Sequence, residues 1–465
     1  MSTVRMPSMW WRATVAVTTA LTAVLLAGAP GARAQNAGEH WVGTWATAVV
    51  ARPQGPQGPP PGFGPPPPPL AAPGPGAPGA TAAAPAAPAA PITPGGRGRG
   101  GPPINFNNQT LRQIVHASIG GERVRVVLSN AFGTVPLAVG AAQLALRDKE
   151  AAILPNSGRV LTFGGNPSTT IAPGAVALSD PVSLTVPALS DLALDLYLPG
   201  DTASSPSPLT THGGAQQTNY VSAEGNHSGA PQFPIATTTA SWFFLARVEV
   251  LAPEQTSAVV TFGDSITDGT RSTPDTNNRW PDSLARRLAS QNIRMGVLNQ
   301  GIAGNRVLAD GAGVSALARF DRDALVQTGV THVIVLESIN DIGIARGNPS
   351  PTVEELIAGQ RQLIERAHAR GLKIFGGTLL PFDGAAYFTS EGEAKRQAFN
   401  QWIRTGKAYD GVVDFDAAVR DPGSPTKLLP QYNSGDNLHL NDAGYKVMAD
   451  AVDLALLKSQ AARKK

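Results

Sequence analysis

The sequence predicts an α/β fold with a doubly wound parallel sheet over residues 256–460, preceded by an all-β domain of sandwich or jelly-roll type over residues 104–251. Two patterns lead to this prediction. After Thr256, short apolar runs alternate with longer amphipathic stretches, as strands alternate with crossover helices. Before Leu251, apolar residues recur with period two between clusters of turn-forming residues, which indicates many short antiparallel strands.

Composition excludes several classes of function. The chain has 465 residues, with Lys+Arg 37 and Asp+Glu 34, and it contains no cysteine. Residues 1–34 hold three arginines and no acid, so the remainder has 37 − 3 = 34 basic against 34 acidic residues. A neutral remainder argues against binding of nucleic acid or an anionic membrane through bulk charge. The lack of cysteine excludes disulfides, a thiolate nucleophile and cysteine-ligated metal.

Residues 1–34 have the three parts of a secretory signal peptide. Arg5 and Arg12 come first, the uncharged stretch Ala13–Ala29 follows, and Ala32-Arg33-Ala34 supplies a cleavage pattern. The alternative is an uncleaved anchor, but 17 residues rich in Ala and Thr lie at the lower limit for a membrane span. No later segment of the sequence is apolar for long enough to span a membrane. We therefore expect a protein that is secreted or periplasmic in a bacterium.

The segment 52–103 differs in composition from everything around it. It holds 19 of the 41 prolines, and Gly and Ala make up most of the rest. Such a segment has too few apolar side chains to offset its ordering entropy, which predicts a disordered, partly polyproline II insert. It separates residues 35–51, with Trp41 and Trp45, from residues 104–251, so we interpret it as a surface loop inside the β domain. A Pro-x-x-P ligand for a partner is the alternative to a spacer.

The β domain offers no catalytic cluster. Its clearest strands are predicted at Arg123–Leu128, Val182–Val186 and Leu192–Leu198. Exposed aromatic residues would fit a carbohydrate-binding role, but large aromatic side chains are highly buried on average. We therefore predict that Tyr220, Trp242 and Phe243 belong to the core.

The C-terminal half has an ordered series of strands and helices. The predicted strands are Ala258–Phe262, Met295–Leu298, His332–Leu336, Leu372–Phe375 and Val412–Phe415. The predicted helices are Arg279–Gln291, Val353–Arg370, Glu391–Ala408 and Asp442–Leu457. In this architecture, functional groups lie on the loops at the carboxyl ends of the strands.

The first strand ends in Gly263-Asp264-Ser265-Ile266. A glycine before the serine allows a sharp turn, and a helix starting there would direct N–H groups towards the serine. The alternative is that Ser265 only caps that helix.

The ends of the next two strands offer candidate donors for an oxyanion. After the second strand comes Gly301-Ile302-Ala303-Gly304, where the backbone N–H of Gly304 is a candidate donor to an oxyanion. The alternative is that this segment is an ordinary turn between a strand and a helix. After the third strand, Asn340 has a side-chain amide that would serve as a second donor, although Asn is also a common turn former.

Asp436 and His439 are three residues apart on a loop before the last helix. At this spacing the carboxylate can bond one imidazole nitrogen while the other faces a hydroxyl, as a general base requires. The pair would also suit a metal, but no third ligand cluster is evident. No other histidine has an acid at that spacing in an equivalent loop, and Asn441 is predicted to cap the last helix.

Taken in order, Ser265, Gly304, Asn340 and His439 resemble the four marker residues of the SGNH hydrolase superfamily, also called the GDSL esterase/lipase family. The resemblance covers about Thr256–Leu457, with Ile266 where the name of the family has Leu. It implies a flavodoxin-like hydrolase with Ser265, His439 and Asp436 as its triad. It also implies that the N–H groups of Ser265 and Gly304 and the Asn340 amide form the oxyanion hole, without metal or organic cofactor.

The N-terminal half has a looser resemblance. Trp41–Ala46, Leu111–Val115 and Val127–Gly133 are similar to the β-rich region of bacterial acylhydrolases encoded beside xylanases. This implies a short acyl ester substrate, acetyl first of all, on carbohydrate such as acetylated polysaccharide. A lipase, phospholipase or aryl esterase with the same triad is one alternative. A secreted glycan-binding protein without activity is the other.

Overall fold

The computed structural model describes residues 1, 39–54, 104–344 and 350–458. From residue 39 onward they belong to one compact unit. The predicted signal peptide beyond Met1 and the predicted insert beyond Gln54 lie outside the described residues. At the described edges of the insert, Gln54 Nε2 donates to the carbonyl of Ile104 at 2.9 Å, so the chain on its two sides is adjacent. No helix in the described ranges has the length and apolar character needed to cross a membrane.

Residues 39–251 are mostly β, as predicted. The strands are β1 Trp41–Ala46, β2 Val50–Arg52, β3 Gln109–His116, β4 Gly121–Ser129, β5 Leu137–Val139, β6 Ala141–Leu146, β7 Arg159–Val160, β8 Thr169–Ile171, β9 Val176–Leu178, β10 Val182–Val186, β11 Asp191–Leu198, β12 Leu209–Gly213, β13 Asn219–Glu224, β14 Ile235–Thr239, β15 Ser241–Phe243 and β16 Leu245–Leu251.

Antiparallel pairing joins these strands into sheets. One sheet has the order β1-β16-β4-β10 with β9 also on β4, and a second has the order β14-β13-β3-β11-β6-β7. Smaller sheets are β15-β12-β2 and β5-β8. Tyr220, Trp242 and Phe243 are buried, which confirms their prediction as core residues. The jelly-roll arrangement stays a prediction.

From residue 257 on, strands and helices alternate. The strands are β17 Ser257–Gly263, β18 Met295–Gly301, β19 Val330–Leu336, β20 Lys373–Gly377, β21 Gly411–Val413, β22 Arg420–Asp421 and β23 Ser424–Leu428. The helices are α1 Ser265–Asp268, α2 Trp280–Ser290, α3 Ala316–Phe320, α4 Ile339–Gly343, α5 Val353–Ala369, α6 Ser390–Thr405, α7 Phe415–Val419 and α8 Asp442–Ala451. A parallel sheet of order β18-β17-β19-β20-β21 results, which confirms the predicted α/β class.

Several predicted bounds are wrong by a few residues, and for two of them the structure gives the reason. The last helix ends at Ala451 and not at Leu457, because Val452 has an extended backbone (φ −71°, ψ 113°). Val452 and Leu457 are both buried, so the chain turns to cover the core and cannot continue as a helix into solvent. Phe415 belongs to α7 and not to the fifth strand, because the side chain of Asp414 accepts the N–H of Ala417 and starts a helix there.

The β region packs against one face of the parallel sheet. Ala258 and Val260 point into an apolar cluster that also contains Val42 of β1, whereas Val259 points into the cluster on the opposite face. The N–H of Gly43 donates to the carbonyl of Thr328 at 2.9 Å across the same boundary. One apolar core is therefore shared by the two regions.

Candidate active site

Ser265 lies at the sharp turn between β17 and α1. A Cβ on Gly263 would come within 2.2 Å of Thr267 Oγ1 and 2.6 Å of the Leu336 carbonyl, so only glycine fits there. The N-cap of α1 is Asp264, whose Oδ1 accepts the N–H of Ile266 at 2.9 Å. Capping is thus done by the neighbour, and the Ser265 hydroxyl is left for another partner.

That partner is His439. Its Nε2 lies 2.8 Å from Ser265 Oγ, and its Nδ1 lies 2.7 Å from Asp436 Oδ2. A carboxylate oxygen accepts, so Nδ1 carries the proton and Nε2 faces the serine hydroxyl as an acceptor. The structure therefore brings the three residues of the predicted triad into one chain of hydrogen bonds, although 174 positions separate Ser265 from His439.

The local loop holds Asp436 in place. Its Oδ1 accepts the backbone N–H groups of His439 at 2.8 Å and Leu438 at 3.1 Å. Burial acts to raise the pKa of Asp436, but the bonds from His439 and these N–H groups outweigh it and hold the pKa well below its ordinary value. The carboxylate therefore stays ionised beside His439 at neutral pH.

Gly304 lies on the loop that follows β18, and Asn340 lies in α4, the short helix that follows β19. The strands β18 and β19 are the two neighbours of β17 in the sheet. Ile302 N–H donates to the carbonyl of Gly263 at 3.0 Å, which fixes the loop after β18 against the turn that carries Ser265. Gly304 has φ +81°, a conformation that favours glycine. Asn340 Nδ2 donates to the carbonyl of Asn305 at 3.0 Å, so its amide is tied to the same loop.

The N–H groups of Ser265 and Gly304 have no acceptor among the described residues. Ser265 begins α1, where the first N–H groups of a helix lack partners inside the helix. Both groups therefore remain available to an oxygen that arrives with a ligand, as the sequence predicts.

Arg319 lies buried beneath these loops and was missed by the sequence analysis. Its guanidinium donates to the carbonyls of Gly263 and Gln300 at 2.9 and 2.8 Å and to Asn305 Oδ1 at 2.9 Å. It therefore joins the ends of β17 and β18 to the loop of Gly304. A single arginine in a helix of five residues gives no sign of burial in the sequence.

Buried acids surround this arginine. Glu337 lies 3.4 Å from Arg319 and is fully buried, and Asp341 accepts the N–H groups of Val307 and Leu308 at 2.8 and 3.1 Å. Burial raises the pKa of Glu337 and of Asp341, and it raises the pKa of Asp264 to about 7. These three acids therefore lie beneath the site in a region of low dielectric constant.

A second arginine missed by the sequence analysis lies at the surface of the site. Arg271 Nε is 3.5 Å from Asp436 Oδ2, and its side chain is 40% exposed. It adds a positive charge beside the carboxylate that bonds His439. In the described part of the chain, no group of three or more acidic and histidine side chains is placed to hold a metal ion.

Residues 261–447 match the model of the family described as GDSL-like Lipase/Acylhydrolase. No curated protein matches the chain.

Among solved structures, the chain is similar to an acetylxylan esterase from Geobacillus stearothermophilus, with 20% identity, 46% of this chain and 100% of that chain covered, and a TM-score of 0.34. A GDSL-like lipase from Bacteroides thetaiotaomicron has 20% identity, coverage of 44% and 90%, and a TM-score of 0.34. A lipase/acylhydrolase from Enterococcus faecalis has 18% identity, coverage of 42% and 92%, and a TM-score of 0.34.

Proposed function

We propose that the chain is a carboxylic ester hydrolase whose catalytic triad is Ser265, His439 and Asp436. The match of residues 261–447 to the GDSL-like Lipase/Acylhydrolase model supports this class of reaction. The observation that carries this proposal is the continuous chain of bonds from Asp436 Oδ2 through both ring nitrogens of His439 to Ser265 Oγ. Such a chain gives the serine a base of fixed tautomer and gives the imidazolium a counter-charge.

In the acylation step, Ser265 Oγ forms a bond to the ester carbonyl carbon and its proton passes to His439 Nε2. The tetrahedral intermediate then collapses, the bond to the alcohol oxygen breaks, and His439 returns the proton to that oxygen. Water attacks the acyl-enzyme by the same route in reverse, giving up a proton to His439 and releasing the acid and the Ser265 hydroxyl. Asp436 remains ionised throughout, which its depressed pKa supports.

We further propose that the oxyanion is bound by the N–H groups of Ser265 and Gly304 and by the Asn340 amide. The lack of an acceptor for both backbone groups in the described residues supports this role. The bond from Asn340 Nδ2 to Asn305 holds the amide nitrogen beside the Gly304 loop and leaves its second N–H for the substrate. Donors held in place before reaction cost no reorganisation when the negative charge develops.

The substrate we propose is a short acyl ester, acetyl first of all, carried on carbohydrate. In the described residues from 256 onward, Val326 is the one exposed large apolar side chain. It lies just before β19 begins, at the opposite end of the strands from Ser265. A lipase that binds long acyl chains needs a wide apolar surface near its nucleophile, and no strongly exposed large apolar side chain among these residues lies there.

We also propose that residues 1–34 direct export of the protein. N-terminal sequencing of the protein from the producing cell tests this, because it shows at which residue the mature chain begins.

The test of the triad is hydrolysis of p-nitrophenyl esters from acetate to palmitate by the parent and by Ser265→Ala. Ser290→Ala is the matched control, because its hydroxyl bonds only the Arg287 carbonyl at the end of α2. We expect activity on acetate that falls with acyl length, is retained in the control, and drops by about 10⁴-fold or more in Ser265→Ala. Release of acetate from acetylated xylan, measured with the same three proteins, tests the carbohydrate part.

Each alternative has a distinct outcome. Activity that rises towards palmitate would replace the short-acyl proposal with a lipase. Retention of activity in Ser265→Ala would remove the serine from the mechanism. A folded parent that hydrolyses none of these esters but binds xylan would favour the glycan-binding alternative.

A further inference from the structure

His212 of β12 reaches from the β region into the hydrolase region. Its side chain is 4% exposed, its Nδ1 lies 2.7 Å from the carbonyl of Ala48, and its Nε2 lies 3.0 Å from Asp268 Oδ1. The ring packs beside Trp242, with 5.6 Å between ring centroids. A buried histidine held at both nitrogens has a single orientation, so the position of Asp268 is defined from the β region.

Both nitrogens of this ring face atoms that only accept hydrogen bonds. Nδ1 therefore donates to the carbonyl and Nε2 donates to the carboxylate, which makes the ring an imidazolium paired with Asp268. Burial and the charge of Arg279 both act against this state, but the Asp268 carboxylate outweighs them and raises the pKa of His212. A buried ion pair with this geometry is rigid, because breaking it leaves an uncompensated charge.

The second oxygen of Asp268 holds the loop that contains Gly304. Asp268 Oδ2 accepts the N–H of Ala303 at 3.2 Å, the residue immediately before Gly304. Asp268 also ends α1, three residues after Ser265. A Cβ on Gly301 would come within 2.2 Å of Asp268 N, so the backbone of α1 and the start of this loop are already in contact. One carboxylate thus connects the helix of the nucleophile, the oxyanion loop and the β region.

We propose that His212 is a positioning residue, which fixes Asp268 so that the bond from the Ala303 N–H holds the loop with the Gly304 N–H directed towards Ser265. This inference rests on the proposed function, since it gives the β region a part in stabilising the oxyanion. It explains why β12, which carries no group near the substrate, contacts α1 through a charged pair. An apolar contact at the same place would also join the two regions, but it would offer no acceptor to the Ala303 N–H.

The test compares His212→Phe, which keeps an aromatic ring beside Trp242, with His212→Gln, whose amide can replace one N–H. We expect kcat on p-nitrophenyl acetate to fall about 10- to 100-fold in His212→Phe with KM within about twofold, because the lost interaction belongs to the transition state. His212→Gln should recover part of that loss.

His116→Gln is the matched control. His116 is also a histidine at this boundary, with Nδ1 2.7 Å from Asp191 Oδ1 and 3.1 Å from Asn277 Nδ2, but its acid partner does not bond the Gly304 loop. We expect its kcat to stay within about twofold of the parent. A similar loss in His116→Gln and His212→Phe would mean that any damage to the boundary lowers activity, and it would overturn the proposal.

A second measurement separates this inference from the proposed function. Hydrogen exchange of the Ala303 amide, followed by mass spectrometry of the peptide that contains it, should be about fivefold faster or more in His212→Phe and unchanged in His116→Gln. If His212→Phe does not fold, Asp268→Leu replaces it, because leucine has a similar size and has no acceptor for the Ala303 N–H. Unchanged exchange and unchanged kcat in the folded variant would overturn the role of His212. Activity retained in Ser265→Ala would instead overturn the triad.

Discussion

Asp264 is a buried acid at the turn between β17 and α1, and its ionisation should make the stability of the protein depend on pH. It caps α1 through Oδ1, and its Oδ2 has no hydrogen-bond partner in the described part of the chain. Burial raises its pKa from 3.8 to about 7, the bond from Ile266 N–H acts against this, and the nearby charge of Asp341 adds to it. Between these two values the folded protein binds a proton that the unfolded chain has lost. The free energy of unfolding therefore falls as pH rises from about 4 to about 7, and the loss is complete above 7.

The perturbation is Asp264→Asn. The amide keeps Oδ1 as the cap and cannot ionise, so the variant lacks this pH-dependent loss of stability. Between these two pKa values only the folded parent holds the proton. The free energy of unfolding of Asp264→Asn minus that of the parent therefore changes by about 1.36 kcal/mol per pH unit. From pH 4.5 to pH 6.5 the stability of Asp264→Asn relative to the parent should therefore rise by about 2.7 kcal/mol.

Urea denaturation of both proteins at pH 4.5, 5.5 and 6.5 measures this difference in the free energy of unfolding. Groups that titrate in the same way in both proteins contribute nothing to it. Asp414→Asn is the matched control, because Asp414 also caps a helix through Oδ1. Burial would raise its pKa, but Arg404 and the Ala417 N–H outweigh it and lower the pKa. Its contribution to stability is present above the unfolded pKa of 3.8, so this control should change little over the same range. A difference for Asp264→Asn that stays constant within about 0.5 kcal/mol would refute the reasoning.

Three further predictions concern other parts of the molecule. Asn340→Ala should lower kcat on p-nitrophenyl acetate by about 10²–10³ with little change in KM, and a kcat within a few-fold of the parent would exclude it as an oxyanion donor. Gly304→Ala should lower both kcat and thermal stability, the latter by about 1–2 kcal/mol, because φ is +81° and the new Cβ would lie 3.1 Å from Ala312 Cβ. Calorimetry that finds the parental Tm would contradict that strain. Asp195→Ala should cost about 3–5 kcal/mol, because it leaves fully buried Arg112 without its two bonds of 2.7 Å, and a loss below about 1 kcal/mol in urea denaturation would show that the pair is solvated.

The sequence predicted those parts of the site whose bonds are local. Asp436 and His439 are three residues apart, and Asn441 caps α8 by accepting the N–H of Gly444 at 3.0 Å. Both interactions close within one turn of chain, so residue type and spacing suffice to expect them. Apolar runs likewise predicted β17 to β20, because a strand covered on both faces must be apolar throughout.

The sequence did not predict the long-range histidine pairs. Spacing in the sequence indicates an acid partner only when the acid is close to the histidine along the chain. His212 bonds Asp268 at a separation of 56 residues, and His116 bonds Asp191 at a separation of 75. Such pairs form because the β region packs on the parallel sheet and brings distant strands together. Short helices such as α4 and α7 were also missed, since one turn of helix has too few residues to show a period.

By itself, the sequence determined the alternation of the main strands and helices after residue 256, the four candidate segments of the site and the local Asp436–His439 pair. Each follows from the alternation of apolar residues or from a spacing that a single loop can close. Only the tertiary structure decided that Ser265 meets His439, and that Asp264 rather than Ser265 caps α1. It alone also decided that Arg319 bonds Asn305 and that His212 bonds Asp268 beside the loop that contains Gly304. These depend on burial and on contacts between distant segments, and the protonation of a buried group depends on the full surroundings that folding creates.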